Sequence, residues 1–178
     1  MGAMPERAES RMTVASTGAA PLSAALEIQV LGPLEVRRNG ASVAVGGPKQ
    51  RSILAMLIAN QGRPVSLDRI VDDLYDDDSS GGARRSVQTF ISLIRKEAGD
   101  IIAKDRGGYV LAVDAAAVDA FRFEEQVRAA LDMSNDDPEA AAGALREALS
   151  MWRGLPYADV EARSAFDAEI TRLGELRL

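Results

Sequence analysis

The sequence predicts an α+β fold followed by an all-α segment. Three observations carry that reading. Apolar residues alternate with polar ones at Leu26, Ile28 and Val30, the period of a strand. Helical apolar spacing follows at 53–58, 67–74 and 87–94, and strand-like runs then return on either side of Gly107-Gly108. From residue 119 onward the spacing is helical throughout.

The elements fall in a definite order. Residues 1–25 are rich in Ala, Ser, Thr and Gly without a sustained period, and read as a disordered tail. Gly32-Pro33 turns the chain after the first strand, and Leu34 and Val36 begin a second. Asn39-Gly40 marks a hairpin, because both central residues of a type I′ turn need positive φ. Val43 and Val45 make a third strand, which Gly46-Gly47 ends. Pro48 suits the first position of a helix that buries Ile53, Leu54, Leu57 and Ile58 and stops near Gly62. Ser66 caps the next helix, whose apolar face is Leu67, Ile70, Val71 and Leu74. Residues 76–82 read as a polar, flexible loop. A third helix runs from Ala83 to Ala98, and Ile101-Ile102 pairs with Tyr109, Leu111 and Val113 as a hairpin. Three strands, three helices and a hairpin describe a winged helix-turn-helix with an N-terminal antiparallel sheet, spanning 26–113.

Residues 114–178 read as a repeat-like all-α segment. Phe121, Phe123 and Val127 begin one helix, and Asp136-Asp137-Pro138 ends it and restarts the chain. Ala141, Leu145, Ala148, Leu149 and Trp152 share one face of the next, which Gly154-Leu155-Pro156 breaks. A last helix is expected from about Val160. Small alanines between larger anchors allow close helix pairs. The chain stops in mid-helix at Leu178, so the segment is expected to be partial.

Composition removes whole classes of chemistry. Cysteine and histidine are both absent, which excludes disulfides, thiolate and imidazole metal ligands, and any histidine-based triad. No catalytic motif is found, and neither an enzyme nor a cofactor is expected. No apolar run approaches the roughly 18–20 residues of a membrane span, so a cytoplasmic protein without membrane contact is expected.

A net charge of −6 looks wrong for a nucleic-acid partner until it is divided along the chain. Residues 26–113 hold 12 basic and 11 acidic residues, and within them 84–108 hold six basic and three acidic. Residues 114–178 hold 14 acidic and seven basic. Charges beyond about 8–10 Å are largely screened, so the local field decides what binds.

That local excess lies on the third helix. At about 100° per residue, Val87, Phe90, Ile91 and Ile94 face the core. The opposite arc carries Arg85, Thr89, Ser92 and Lys96, flanked by Gln88 and Arg95, with Arg84 at its start. Arg can take guanine bidentately, Gln can take adenine, and Ser, Thr or Lys can hold phosphate. Lys104 and Arg106, near the hairpin turn, resemble the tip of a wing reaching adjacent phosphates. Lys49 and Arg51, at a helix N-terminus, are further phosphate candidates. Against this stands the plain reading of a solvated polar face on an amphipathic helix.

The resemblance to a family is more specific. IQVLGPLEVRR at 28–38, GPKQRSILAMLI at 47–58, ARRSVQTFISLIRKEAG at 83–99 and GGYVLAV at 107–113 occur in order. VDAFRFEEQV at 118–127 and ALSMWRGLPYADV at 148–160 follow. Together they resemble the actinobacterial antibiotic-regulatory-protein (SARP) family of activators over about 26–178. The resemblance implies an OmpR-like winged helix followed by a bacterial transcriptional activation domain. It implies binding to tandem repeats in double-stranded DNA near promoters and recruitment of RNA polymerase. Gln88, Ser92 and Arg95 match the recognition-helix pattern, and Gly108, Tyr109 and Leu111 the wing pattern. Three departures stand out. Leu93 replaces the usual basic residue, which is expected to weaken DNA affinity or shift sequence preference. Tyr75 replaces a usual Trp, and 76–82 lack the usual prolines. Further helices normally follow.

Other constellations have bland readings. Asp72, Asp73, Asp76, Asp77 and Asp78 lack the spacing of a calcium loop, and the resemblance implies that Asp76, Asp77 and Asp78 are a candidate polymerase-facing loop. Gly46-Gly47-Pro48-Lys49 lacks phosphate-loop spacing. Trp152 fits a space-filling role between helices, and Glu124-Glu125 diverge on a helix and do not suggest acid–base catalysis. With no long dimerisation helix, a monomer or weak dimer in solution is expected, with tandem copies on DNA. The competing reading is a protein-interaction module that uses the same scaffold without binding DNA.

Overall fold

The chain, seen in a computed structural model, is described over residues 26–75, 81–161 and 163–178. The tail at 1–25 and Asp76, Asp77 and Asp78 lie outside the described residues. Strands β1 (Leu26–Gln29), β2 (Glu35–Arg38) and β3 (Ala41–Val43) form an antiparallel sheet in sequence order. Leu26 faces Arg38, and Val36 faces both Ile28 and Val43. The β2–β3 turn is the expected one, with Asn39 at φ 51° and Gly40 at φ 78°. Val45 is buried but lies past the end of β3.

Helices α1 (Pro48–Ala59), α2 (Leu67–Tyr75) and α3 (Gly81–Ala98) follow. Pro48 opens α1, where a missing N–H costs nothing. Ser66 accepts from the Arg69 N–H at 3.2 Å and caps α2. Every residue from Ser52 to Ile58 on α1 is buried. This central helix is covered on all sides, which a one-faced amphipathic reading understates. On α3, Val87, Ile91 and Ile94 are buried and Phe90 is half-buried, so the arc turned to the core is the one its spacing implies. Each such aliphatic side chain contributes about 1.5–3 kcal/mol by leaving water.

Strands β4 (Ile102–Asp105) and β5 (Gly108–Leu111) form the hairpin; Val113 lies beyond it. The hairpin is anchored near its turn, where Tyr109 pairs with Lys104. Val65 and Tyr109 exchange two backbone hydrogen bonds, of 2.8 and 2.9 Å, so the α1–α2 connection supplies a third, single-residue strand. Gly108 makes this approach possible. Its φ is 141°, and a Cβ there would lie 2.0 Å from the Val65 carbonyl oxygen.

Helices α4 (Asp119–Met133) and α5 (Pro138–Ser150) pack against each other, and α6 (Asp167–Arg177) contacts α4. Asp137 caps α5 through the Ala140 N–H, at 3.0 Å. Trp152 sets its ring edge-on to Phe123, with centroids 5.4 Å apart, as its space-filling reading expects. Two details depart from the sequence reading. Leu149 is exposed, because the face of α5 that meets α4 runs through Ala141 and Ala148. The last helix begins at Asp167, not near Val160; a short 3-10 turn, Arg163–Phe166, precedes it. Apolar residues from both parts of the chain, from Leu26 to Leu173, form one continuous core.

Candidate nucleic-acid interface

α3 is held from three sides. Its C-terminal carbonyl, at Ala98, accepts from the Arg38 guanidinium of β2 at 2.5 Å, which also places a cation at the negative end of the helix. Arg95 reaches beyond the end of the helix, and its Nε donates to the Ile102 carbonyl at 2.8 Å, tying α3 to the base of the hairpin. α2 packs along α3, and Arg84 pairs with Asp68 of α2 at 2.6 Å. Helix and hairpin are thereby fixed relative to one another.

What remains outward on α3 is Arg85, Gln88, Thr89, Ser92, Leu93, Lys96 and, in the last turn, Glu97, all exposed. Arg85, Gln88 and Lys96 have no side-chain hydrogen bond or ion pair among the described residues. The two hydroxyls are turned inward: Thr89 Oγ1 donates to the Arg85 carbonyl and Ser92 Oγ to the Gln88 carbonyl, each at 3.0 Å. With their protons so used, both oxygens keep only acceptor capacity for a partner. Leu93, 41% exposed, stands beside Thr89. Lys104 and Arg106 are exposed on the hairpin, where Asp105 shapes the turn by accepting from the Arg106 N–H at 2.6 Å.

The other candidate residues are differently placed. Arg95 is half-buried against the hairpin rather than part of the outer strip. Lys49 sits over the Tyr75 ring, its ammonium 3.3 Å from the centroid, a cation–π contact that links the start of α1 to the end of α2. Arg51 donates to the Leu34 carbonyl at 2.6 Å and pairs with Asp159.

Arg51 belongs to a second polar cluster, which sequence reasoning missed. The segment 30–34, between β1 and β2, is clasped by the helical part. Asp119, 3% exposed, accepts from the N–H groups of Val30 and Leu31 at 2.7 and 3.1 Å. Asp159 accepts from Leu34 N–H at 2.7 Å. Leu31, Val30 and Gly32 carbonyls accept from the backbone of Arg153, Tyr157 and Ala158 at 2.7, 3.0 and 3.2 Å. The Arg153 guanidinium reaches the Pro33 carbonyl at 2.9 Å and Glu35 at 2.8 Å. Gly32 permits this closeness, since a Cβ there would come 2.9 Å from that of Arg153. Burial pushes the Asp119 carboxyl up from its ordinary 3.8, against the opposing pull of the two backbone N–H groups and the Arg153 charge. The quoted motifs at 118–127 and 148–160 contain Asp119, Arg153, Tyr157 and Asp159, but nothing in spacing announces that their partner is residues 30–34.

Among the described residues no group of carboxylates is arranged to hold a metal ion, and no helix is long and apolar enough to cross a membrane.

Two family models match. Residues 42–111 match the C-terminal domain of transcriptional regulatory proteins, and 118–178 match the bacterial transcriptional activator domain. The regulatory protein DnrI of Streptomyces peucetius is 30% identical over 168 residues, covering 86% of this chain and 61% of that protein. The regulatory protein AfsR of Streptomyces coelicolor is 34% identical over 164 residues, covering 88% of this chain and 16% of AfsR. EmbR of Mycobacterium tuberculosis, solved in complex with a low-affinity phosphopeptide, superposes with a TM-score of 0.78 at 30% identity, over 86% of this chain and 42% of EmbR. The chain thus spans less than two thirds of the length of each of these relatives.

Proposed function

Since the chain belongs to the SARP family of transcriptional regulators, with an OmpR-like winged helix and a bacterial transcriptional activator domain, we propose that it is a sequence-specific activator. It reads double-stranded DNA with α3, anchors on phosphate with its β4–β5 hairpin, and recruits RNA polymerase. One observation carries the reading: a strip of exposed, uncommitted hydrogen-bonding and cationic side chains runs along a helix that is itself rigidly held. Arg85 and Gln88 offer donors suited to base edges, and Lys96 a phosphate anchor. Lys104 and Arg106 project from the hairpin, where phosphates are the natural partners. Arg84, Arg95, Lys49 and Arg51 support this face indirectly, through the contacts that fix α1, α2 and the hairpin around α3.

Residues 26–113 form the DNA-binding unit in this reading, and 114–178 the start of the activation unit. Copies bind head to tail on repeats about one helical turn, roughly 10–10.5 bp, apart; the free protein is a monomer or weak dimer in the cytoplasm. Duplexes enriched from a random library, and scrambled versions, titrated at several salt concentrations test the DNA reading. Preference for the enriched duplex, with affinity falling steeply as salt rises, is expected. Equal, salt-insensitive binding would replace it with the protein-interaction reading. Neutralising Asp76, Asp77 and Asp78 together is expected to lower transcription from a bound promoter without lowering promoter affinity.

A further inference from the structure

We propose that Leu93 is a specificity-determining contact that reads the C5-methyl group of thymine in the major groove, with the Thr89 methyl making a second such contact one turn earlier. The inference rests on α3 being the reading helix. A lone exposed leucine is ordinary on a protein surface, so exposure alone argues nothing; its surroundings do. Among the described residues of 26–113, Leu93 is the one large apolar side chain left exposed, the others lying at Leu131 and beyond. It stands on the outward side of α3, bordering the strip made by Arg85, Thr89, Ser92 and Lys96.

Chemistry narrows what such a side chain can meet there. Every polar atom of a major-groove edge needs a hydrogen-bonding partner or water, and the thymine C5-methyl is the one methyl group, and the largest apolar group, that a base pair presents there. An exposed leucine pressed against any other edge would strip water from a donor or acceptor and return nothing, which is unfavourable. Thr89 shares this character, because its hydroxyl proton is donated to the Arg85 carbonyl at 3.0 Å. Its outward chemistry is a methyl group and an acceptor oxygen. Residues four apart lie about 6 Å apart along a helix, close to two base-pair steps of about 3.4 Å. The two side chains therefore suit thymines about two base pairs apart.

Uracil provides the test, since it differs from thymine by that methyl alone. In a duplex enriched by the chain from a random library, each thymine is replaced singly by deoxyuridine. Affinities are measured for the unaltered chain and for Leu93→Ala, Thr89→Ser and Leu149→Ala. One uracil is expected to weaken the unaltered chain about fourfold, the effect of one buried methyl, and to leave Leu93→Ala unaffected. A second, about two base pairs away, is expected to be silent only in Thr89→Ser. Leu149→Ala, an exposed leucine on α5, keeps every uracil effect. Thermal melting verifies that each variant is folded, and an exposed position should tolerate the change. If no uracil affects the unaltered chain, or if Leu93→Ala keeps every uracil penalty, the inference is overturned while DNA reading stands. If the chain prefers no duplex over its scrambled version, DNA reading itself fails.

Discussion

The outer strip of α3 and the clasp around residues 30–34 are both polar, yet they are opposites in how their side chains are used. In the clasp, Asp119, Arg153 and Asp159 each meet a backbone or side-chain partner from a segment 88 or more residues away. On α3, Arg85, Gln88 and Lys96 meet none among the described residues. A polar group already satisfied inside the protein has little left to give a partner, whereas an exposed and unsatisfied one on a rigid scaffold gives up only water when it binds. The difference separates residues that hold the two parts of the chain together from those that face outward with their hydrogen-bonding capacity unused. By the same token Arg51, which looked like a phosphate contact beside a helix N-terminus, is part of the clasp.

The comparison is sharpest at Asp119. Asp119→Ala would leave two buried N–H groups without an acceptor, a loss of about 3 kcal/mol or more in chemical denaturation. DNA affinity per folded molecule should be unchanged, because Asp119 bonds to the 30–34 segment and not to α3; a specific loss of affinity would mean that the clasp and the strip do not act separately. Its raised pKa also predicts a pH signature. The folded carboxyl holds its proton more tightly than the unfolded one, so its contribution to stability falls as pH rises above about 3.8 through the folded value. Stability curves of the unaltered chain and Asp119→Asn should differ in slope across that window and run parallel above it.

Smaller effects are expected on the recognition side. Arg85→Ala should remove about 1–3 kcal/mol of discrimination between enriched and scrambled duplex, with the melting temperature unaltered. The double change Lys104→Ala, Arg106→Ala should weaken both duplexes alike and reduce the salt slope by about two. If the hairpin variant erased preference and Arg85→Ala did not, the roles of helix and hairpin would be exchanged. Leu93→Arg should strengthen binding to all duplexes and raise the salt slope by about one, a modest gain made at the expense of preference.

The smallest effect is expected at Tyr157. Its ring is buried against Phe166, with centroids 5.0 Å apart, and its hydroxyl has no hydrogen-bond partner among the described residues. Tyr157→Phe should therefore leave stability within about 1 kcal/mol of its starting value, or raise it. A drop beyond about 2 kcal/mol in thermal melting would mean that the hydroxyl contributes to the clasp after all.

The elements were legible because burial is periodic. Ile28 and Val36 alternate as strands do, and Val87, Ile91 and Ile94 recur as a helix requires, so each segment announces its shape and its inner face locally. The outward arc of α3 followed from the same arithmetic, as did the Asn39-Gly40 turn, whose positive φ values only a few residue types accept. Where local rules compete, legibility faded. Val160 could begin a helix, but Tyr157 adopts a left-handed φ of 53° and packs inward with Val160, delaying α6 to Asp167. Leu149 lay on an apolar stripe yet faces solvent, because the α4–α5 contact runs through alanines. The sequence by itself determined which side chains turn inward and which outward, since a residue's face depends on its near neighbours and their spacing. Which cation is tied within the fold and which is left exposed without a partner among the described residues was decided by tertiary structure alone. A guanidinium's partner is whatever comes within about 3 Å of it, and for Arg51 that is a carboxylate 108 residues away, a proximity that exists only once the chain has folded.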